Sequence, residues 1–171
     1  MEIERDFETI LRAAMRRDPD LQQWRFDGLT VTGVTPGHRP VEAPEWAPDR
    51  ELTIELARRA MWLRASGGDI GRMLRERRIG AEVGRGWHPL LAAFDTMCRE
   101  HGHPVERYSQ IKEKFGSLRV YHQGDAYTSD LESTVALLSL CICELCGASG
   151  RRRNIDGWYA TRCDGHVGAY A

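Results

Sequence analysis

The chain has 171 residues, 42% of them hydrophobic, and a formal net charge of -1. That length supports one ordinary core, or one core with a small appendage. The interleaved charges exclude the global basic field of many nucleic-acid binders, while leaving local binding open.

No apolar run approaches the roughly 18 to 20 residues of a membrane span. The charged start Met1-Glu2-Ile3-Glu4-Arg5-Asp6 does not read as a secretory signal. A cytoplasmic setting without a membrane partner is therefore expected. The five cysteines, an odd number, suit reduced thiols in that compartment better than a disulfide framework.

Residues 3–16 place Ile3, Phe7, Ile10, Leu11 and Ala14 on one stripe, which predicts an amphipathic helix. Asp18-Pro19-Asp20 ends it. Residues 29–34 alternate and are β-branched, as a short strand would, with Trp24 and Phe26 helping to bury it. Four prolines and a glycine between Pro36 and Pro48 predict an extended loop. Trp46 within it is the candidate exposed anchor, with burial in the core the alternative.

Asp49 caps a predicted helix running to about Ser66, with Leu52, Leu56, Ala60 and Leu63 inward. Gly67-Gly68 ends it. A further helix from Asp69 carries Ile70, Met73 and Leu74 inward and Arg72, Arg75, Arg77 and Arg78 largely outward. A solvated face and a contact for an acidic or phosphate-bearing partner both fit that arginine cluster, with Arg75 and Arg78 the candidate contacts.

Residues 86–102 repeat Trp87, Leu90, Leu91, Phe94, Met97 and Cys98 at helical steps, with Pro89 tolerable in the first turn. Cys98 and His101 lie one turn apart, and with His103 they form the one nucleophile-and-base candidate. A cysteine on an apolar stripe more often serves packing.

Beyond Pro104 two alternating runs predict a hairpin that turns near Phe115-Gly116-Ser117. One face would carry Lys112, Lys114, Arg119 and Tyr121, a pattern suited to an anionic partner or simply to solvent. Ser129-Asp130-Leu131-Glu132 has the form of a capping box, predicting a helix over 131–140.

The strongest chemical signal is C-terminal. Cys143-x2-Cys146 and Cys163-x2-His166 offer four N and S donors in two close pairs, the pattern of a tetrahedral Zn²⁺ site. Gly147 permits the sharp turn after the second thiolate, and Cys141 is the spare thiol. Arg151, Arg152 and Arg153 read as a polar turn and 155–161 as a strand leading to the second pair. Only five residues follow His166, which favours a ribbon-like module over a truncated treble clef. Four protein ligands leave no open position, so the expected zinc is structural.

The usual catalytic signatures are missing. There is no H-E-x-x-H, no deaminase H-x-E upstream of the C-x-x-C, and no G-x-x-x-x-G-K-[ST], G-x-G-x-x-G or G-x-S-x-G. No enzymatic activity is expected.

Gly86-Trp87 with Leu90-Leu91, the run from Gln110 to Tyr121, Cys143-Glu144-Leu145-Cys146-Gly147 and the run from Trp158 to His166 resemble a group of small uncharacterised proteins of bacteria and bacteriophages. The likeness covers residues 86–167. It implies an association with mobile elements, where small non-enzymatic binders act as immunity proteins, anti-defence factors or regulators.

The expectation is therefore an α+β protein in three parts. These are a mainly helical region over 1–85, a helix–hairpin–helix core over 86–140, and a zinc module over 141–171 packed on that core. A protein partner, a toxin or defence factor, is the leading expectation. Nucleic acid bound by Lys112, Lys114 and Arg119 together with Arg151, Arg152 and Arg153 is the alternative, and it requires the two patches to be adjacent.

Overall fold

In the computed structural model, which describes residues 2–35, 48–80, 82–103 and 108–168, the predicted apolar stripes become the buried faces of helices. Helix α1 (Glu2–Ala14) buries Phe7, Ile10, Leu11 and Ala14. Helix α2 (Arg50–Ala65) starts where the Asp49 carboxylate accepts a hydrogen bond from Leu52 N, and it buries Leu56, Ala57, Ala60 and Met61. Helix α3 (Ile70–Glu76) is capped likewise by Asp69. Helix α4 (His88–Glu100) carries Pro89 in its first turn and is buried along Leu90, Leu91, Phe94, Met97 and Cys98. The proline-rich loop with Trp46 lies outside the described residues.

Helix α2 packs on α4, α1 and α5 (Ala126–Ser139), and α5 also covers the hairpin strand β4 (Ser117–His122). One apolar cluster runs through these elements from Phe7 to Ile142. Each large side chain in it contributes about 1.5–3 kcal/mol through burial. Cys98 is fully buried there, a packing position.

Buried charges are paired. The Arg50 guanidinium bonds both carboxylate oxygens of Asp18 and also reaches Asp20, joining the start of α2 to the turn after α1. Asp95 of α4, fully buried, accepts from Arg77 at 2.8 Å and Arg99 at 2.9 Å. Arg77 is thereby drawn inward, whereas Arg72, Arg75 and Arg78 are exposed as expected.

Three predicted elements differ in extent. The strand expected over 29–34 is half of a small hairpin, β1 (Arg25–Asp27) with β2 (Thr30–Thr32), turning at Gly28 and Leu29. Phe26 of β1 meets Phe7 edge-on at 6.1 Å, which seats the hairpin on α1.

Helix α5 begins at Ala126, not at a Ser129 capping box. Asp125 is an equally good N-cap and accepts from Thr128 N at 3.1 Å. Glu132, freed from a capping role, accepts instead from His122 N at 2.6 Å and ties α5 to the end of β4.

The run Arg151 to Asn154 is not a turn. It forms β5 (Arg151–Ile155), which pairs with β6 (Trp158–Arg162). The chain reverses at Asp156 (φ 50) and Gly157 (φ 89), both left-handed as a type I′ turn requires.

Strand β3 (Tyr108–Lys114) pairs antiparallel with β4 around Phe115 (φ 54) and Gly116 (φ 76). The architecture is thus α+β, five helices with three small antiparallel hairpins among the described residues. No helix among them is long and apolar enough to cross a membrane.

Candidate metal centre

Helix α5 delivers the chain to a knuckle in which Gly147 N donates to Cys143 O and Cys143 N to Ala148 O, both at 2.8 Å. Gly147 takes φ +77, the left-handed conformation the turn demands. On the other side, a 3-10 turn at Asp164–His166 follows β6 and brings His166 back over Cys163, with His166 N donating to Cys163 O.

The result gathers Cys143, Cys146, Cys163 and His166, whose donor atoms all lie within 4.8 Å of one another. The four residues are positioned to hold a metal ion. The Sγ atoms of Cys146 and Cys163 are 3.7 Å apart, and His166 Nδ1 lies 3.6 Å from Cys143 Sγ and 3.1 Å from Cys163 Sγ. A tetrahedron with Zn–S bonds near 2.3 Å and Zn–N near 2.0 Å has edges of about 3.8 Å between sulfurs and about 3.5 Å between sulfur and nitrogen. The spacing therefore fits a Zn²⁺ shell.

The two knuckle thiols are shifted in opposite directions. Burial pushes the Cys143 thiol up, but backbone N–H groups of Cys163, Cys146 and Leu145 more than offset this and bring it below the ordinary thiol range. Burial raises Cys146, and the neighbouring Cys143 adds to the rise. Thiolates this close need a cation between them. Cys141 stays outside the cluster. It sits in the apolar core, where burial pushes its thiol to about 11.

What fastens this centre to the helices is hard to read from spacing. Trp87, fully buried before α4, donates its indole Nε1 to Ile142 O at 2.8 Å, and Gly86 N donates to Glu144 O at 2.8 Å. Gly84 and Gly86 lie so close to the knuckle that a Cβ on either would stand 2.2 Å from a carbonyl oxygen of Glu144 or Cys143. Across the centre, Arg162 and Glu144 form a buried ion pair at 2.7 Å.

Asp6 of α1 accepts from Ser149 N at 2.9 Å and from Arg64 at 2.6 Å. Burial alone raises the Asp6 pKa, but Arg64 and Ser149 together hold it below its ordinary value. A depressed carboxyl contributes stability at neutral pH and loses it as pH falls through the ordinary carboxylate range. Urea denaturation across about pH 3 to 7 is expected to show an acid-side loss of stability that is smaller in Asp6→Asn, which also starts less stable at neutral pH.

The β3–β4 hairpin tip rests on the β5–β6 hairpin. Thr161 Oγ1 donates to Gly116 O at 2.6 Å, Arg152 Cγ lies beside Gly116, and Phe115 meets Tyr159 edge-on at 6.5 Å. The β3–β4 register sets Lys112 opposite Arg119 and Gln110 opposite Tyr121. Lys112, Lys114, Arg119 and Tyr121 thus share the outer face, with Lys112 Nζ 5.3 Å from the Tyr121 ring and Lys114 Nζ 5.7 Å from that of Phe115.

The three arginines divide. Arg152 lies over Tyr159 at 4.9 Å and joins the tip. Arg151 and Arg153, on the opposite face of β5, both bond Asp164. Arg75 and Arg78 lie on α3 and just after it.

The exposed aromatics Phe115, Tyr159 and Trp158, at 61%, 44% and 81% exposure, were not singled out by sequence. The Asp-Gly and Phe-Gly turn pairs were the signals available, since a residue just before or after a tight hairpin turn stands at the protein's edge. Compared with protein-family models, with curated proteins and with solved structures, the chain matches none.

Proposed function

We propose that this is a non-enzymatic binding protein, held in shape by a structural zinc ion. It acts by occupying a macromolecular partner, as an immunity or inhibitor protein occupies a toxin or a defence factor. The observation that carries this reading is the fused hairpin tip. Phe115 and Tyr159 are solvent-exposed beside Lys114 and Arg152, and aromatic and arginine side chains on a rigid support are the usual anchors of protein interfaces.

Phe115 adds weight. A bulky residue at φ 54 is costly, and Asn or Asp would suit that turn position better. The strained turn is explained if the ring must project there. The closed four-donor shell supports a structural role for the ion, since it leaves no position for an activated water.

The test is affinity capture from the native host at near-physiological salt, with wild type beside the double variant Phe115→Ala, Tyr159→Ala. A single protein retained by wild type and lost from the variant is expected. No retained protein, or equal retention by both, would count against this reading.

The same adjacency favours a second reading, single-stranded nucleic acid stacked on the aromatics and neutralised by Lys112, Lys114, Arg119 and Arg152. It predicts binding to labelled oligonucleotides that falls steeply with salt. No binding at about 50 mM salt would exclude it.

A further inference from the structure

Helix α4 ends in a Schellman motif, with His103 N donating to Cys98 O at 2.8 Å and Gly102 N to Arg99 O at 3.0 Å. Gly102 takes φ +83, and the reversal sets the rings of His101 and His103 side by side. Their planes lie 24° from parallel with centroids 5.7 Å apart, and Tyr127 of α5 stacks on the far side of His101 at 3.9 Å.

Both imidazoles aim Nε2 at one carboxylate oxygen, Asp125 Oδ2, at 3.6 Å from His101 and 3.2 Å from His103. The other oxygen of Asp125 caps α5 through Thr128 N, so the carboxylate is held in orientation. His103 is largely buried, and its Nδ1 has no hydrogen-bond partner among the described residues.

We propose that His101, His103 and Asp125 form a second divalent-metal site, separate from the cysteine centre, that takes an imidazole-preferring ion such as Zn²⁺. Three donor atoms lie within 4.8 Å of one another. The two measured nitrogen–oxygen separations bracket the roughly 3.3 Å edge of a tetrahedron with bonds near 2.0–2.1 Å. Two imidazoles and one carboxylate select Zn²⁺, Ni²⁺ or Cu²⁺ over the all-oxygen preference of Mg²⁺ and Ca²⁺.

The location suits a cation. The last carbonyls of α4 carry partial negative charge, which offsets the positive end of α5 that Asp125 caps, and the Asp125 carboxylate supplies the anionic donor. Unlike the cysteine centre, this site has three protein donors among the described residues. A water molecule, or a side chain from a docked partner, can complete the shell. An ion here would also join the end of α4 to the start of α5 from outside the core.

The experiment uses the full chain with its cysteine centre already loaded, one zinc per chain by elemental analysis, titrated with Zn²⁺ alone by calorimetry. Co²⁺ added in parallel reports the donor type. A second ion per chain is expected, whose cobalt spectrum lacks thiolate charge-transfer bands.

Asp125→Asn keeps an N-cap while removing the anionic donor, and it should weaken the second ion by more than about tenfold. His103→Gln should do the same, and both variants should keep the first zinc and the helical circular dichroism of wild type. Saturation at one ion per chain would overturn the proposal. So would a second ion that binds equally well in the Asp125→Asn, His103→Gln double variant, which would mark it as adventitious surface binding. Neither result bears on partner capture by the hairpin tip, so the two readings fail separately.

Discussion

Replacing Cys146 with serine is expected to strip the zinc from the cysteine centre and open residues 141–168 to protease, while most of the helical signal persists. In small zinc modules the metal supplies about 10–16 kcal/mol of apparent binding free energy, as much as the whole stability of an ordinary domain, about 5–15 kcal/mol. Beyond Ile142 and the ligand Cys143, the knuckle and the β5–β6 hairpin have little apolar burial to replace it. Ile155 and Ala160 are only partly covered, and Trp158 and Tyr159 face solvent.

Helices α1, α2, α4 and α5 share their own apolar cluster and should survive. The seam should not. Trp87 would lose its Ile142 acceptor, and Asp6 would lose Ser149. Elemental analysis with limited proteolysis checks this, and undiminished zinc with an uncut C-terminal segment would show that the metal does not hold the module.

Gly86→Ala should damage the protein from the other side of that seam. The added methyl would stand 2.2 Å from Cys143 O, 2.6 Å from Gly147 N and 2.7 Å from Glu144 C. All three are backbone atoms of the knuckle, so no side chain can swing aside. Overpacking of this kind costs about 1–3 kcal/mol where neighbours can yield. Here the loss should be at the top of that range or beyond it, and a chelator should remove zinc faster than from wild type.

Gly80→Ala is the control. Among the described residues an added methyl there meets nothing within 4 Å, and its backbone is not left-handed. It should therefore change stability by less than about 0.5 kcal/mol in urea denaturation. Equal stability of Gly86→Ala and wild type would mean that the close approach does not matter.

Local patterns carried much of this protein. The stripe Phe7, Ile10, Leu11, Ala14 and the repeat from Trp87 to Cys98 mark α1 and α4 because a helix must turn one face to the core, and a 3.6-residue period is visible in a linear string. The cysteine pairs are legible for the same reason, since each pair closes over a turn of four residues.

Where two local signals competed, spacing misled. Ser129 to Glu132 has the letters of a capping box, yet Asp125 captures the helix start because it meets Thr128 first and leaves Glu132 to bond His122. Arg151 to Asn154 looks like a polar turn, but a strand with no fully buried residue and only one apolar side chain has no alternation to announce it. The Asp156-Gly157 pair was the better guide.

By itself, the sequence determined the helices, the β3–β4 hairpin with its basic face, and a four-donor Cys/His cluster at Cys143, Cys146, Cys163 and His166. Each depends on residues a few positions apart. Only the tertiary structure decided that Gly86 and Trp87 clasp the knuckle and that Phe115 meets Tyr159. It alone divided the arginines, Arg152 toward the tip and Arg151 and Arg153 toward Asp164, and it alone brought Asp125 to His101 and His103. Those contacts join segments some 10 to 60 positions apart. Their geometry follows from how helices pack and where glycine lets backbones touch, and no local period in a sequence records that.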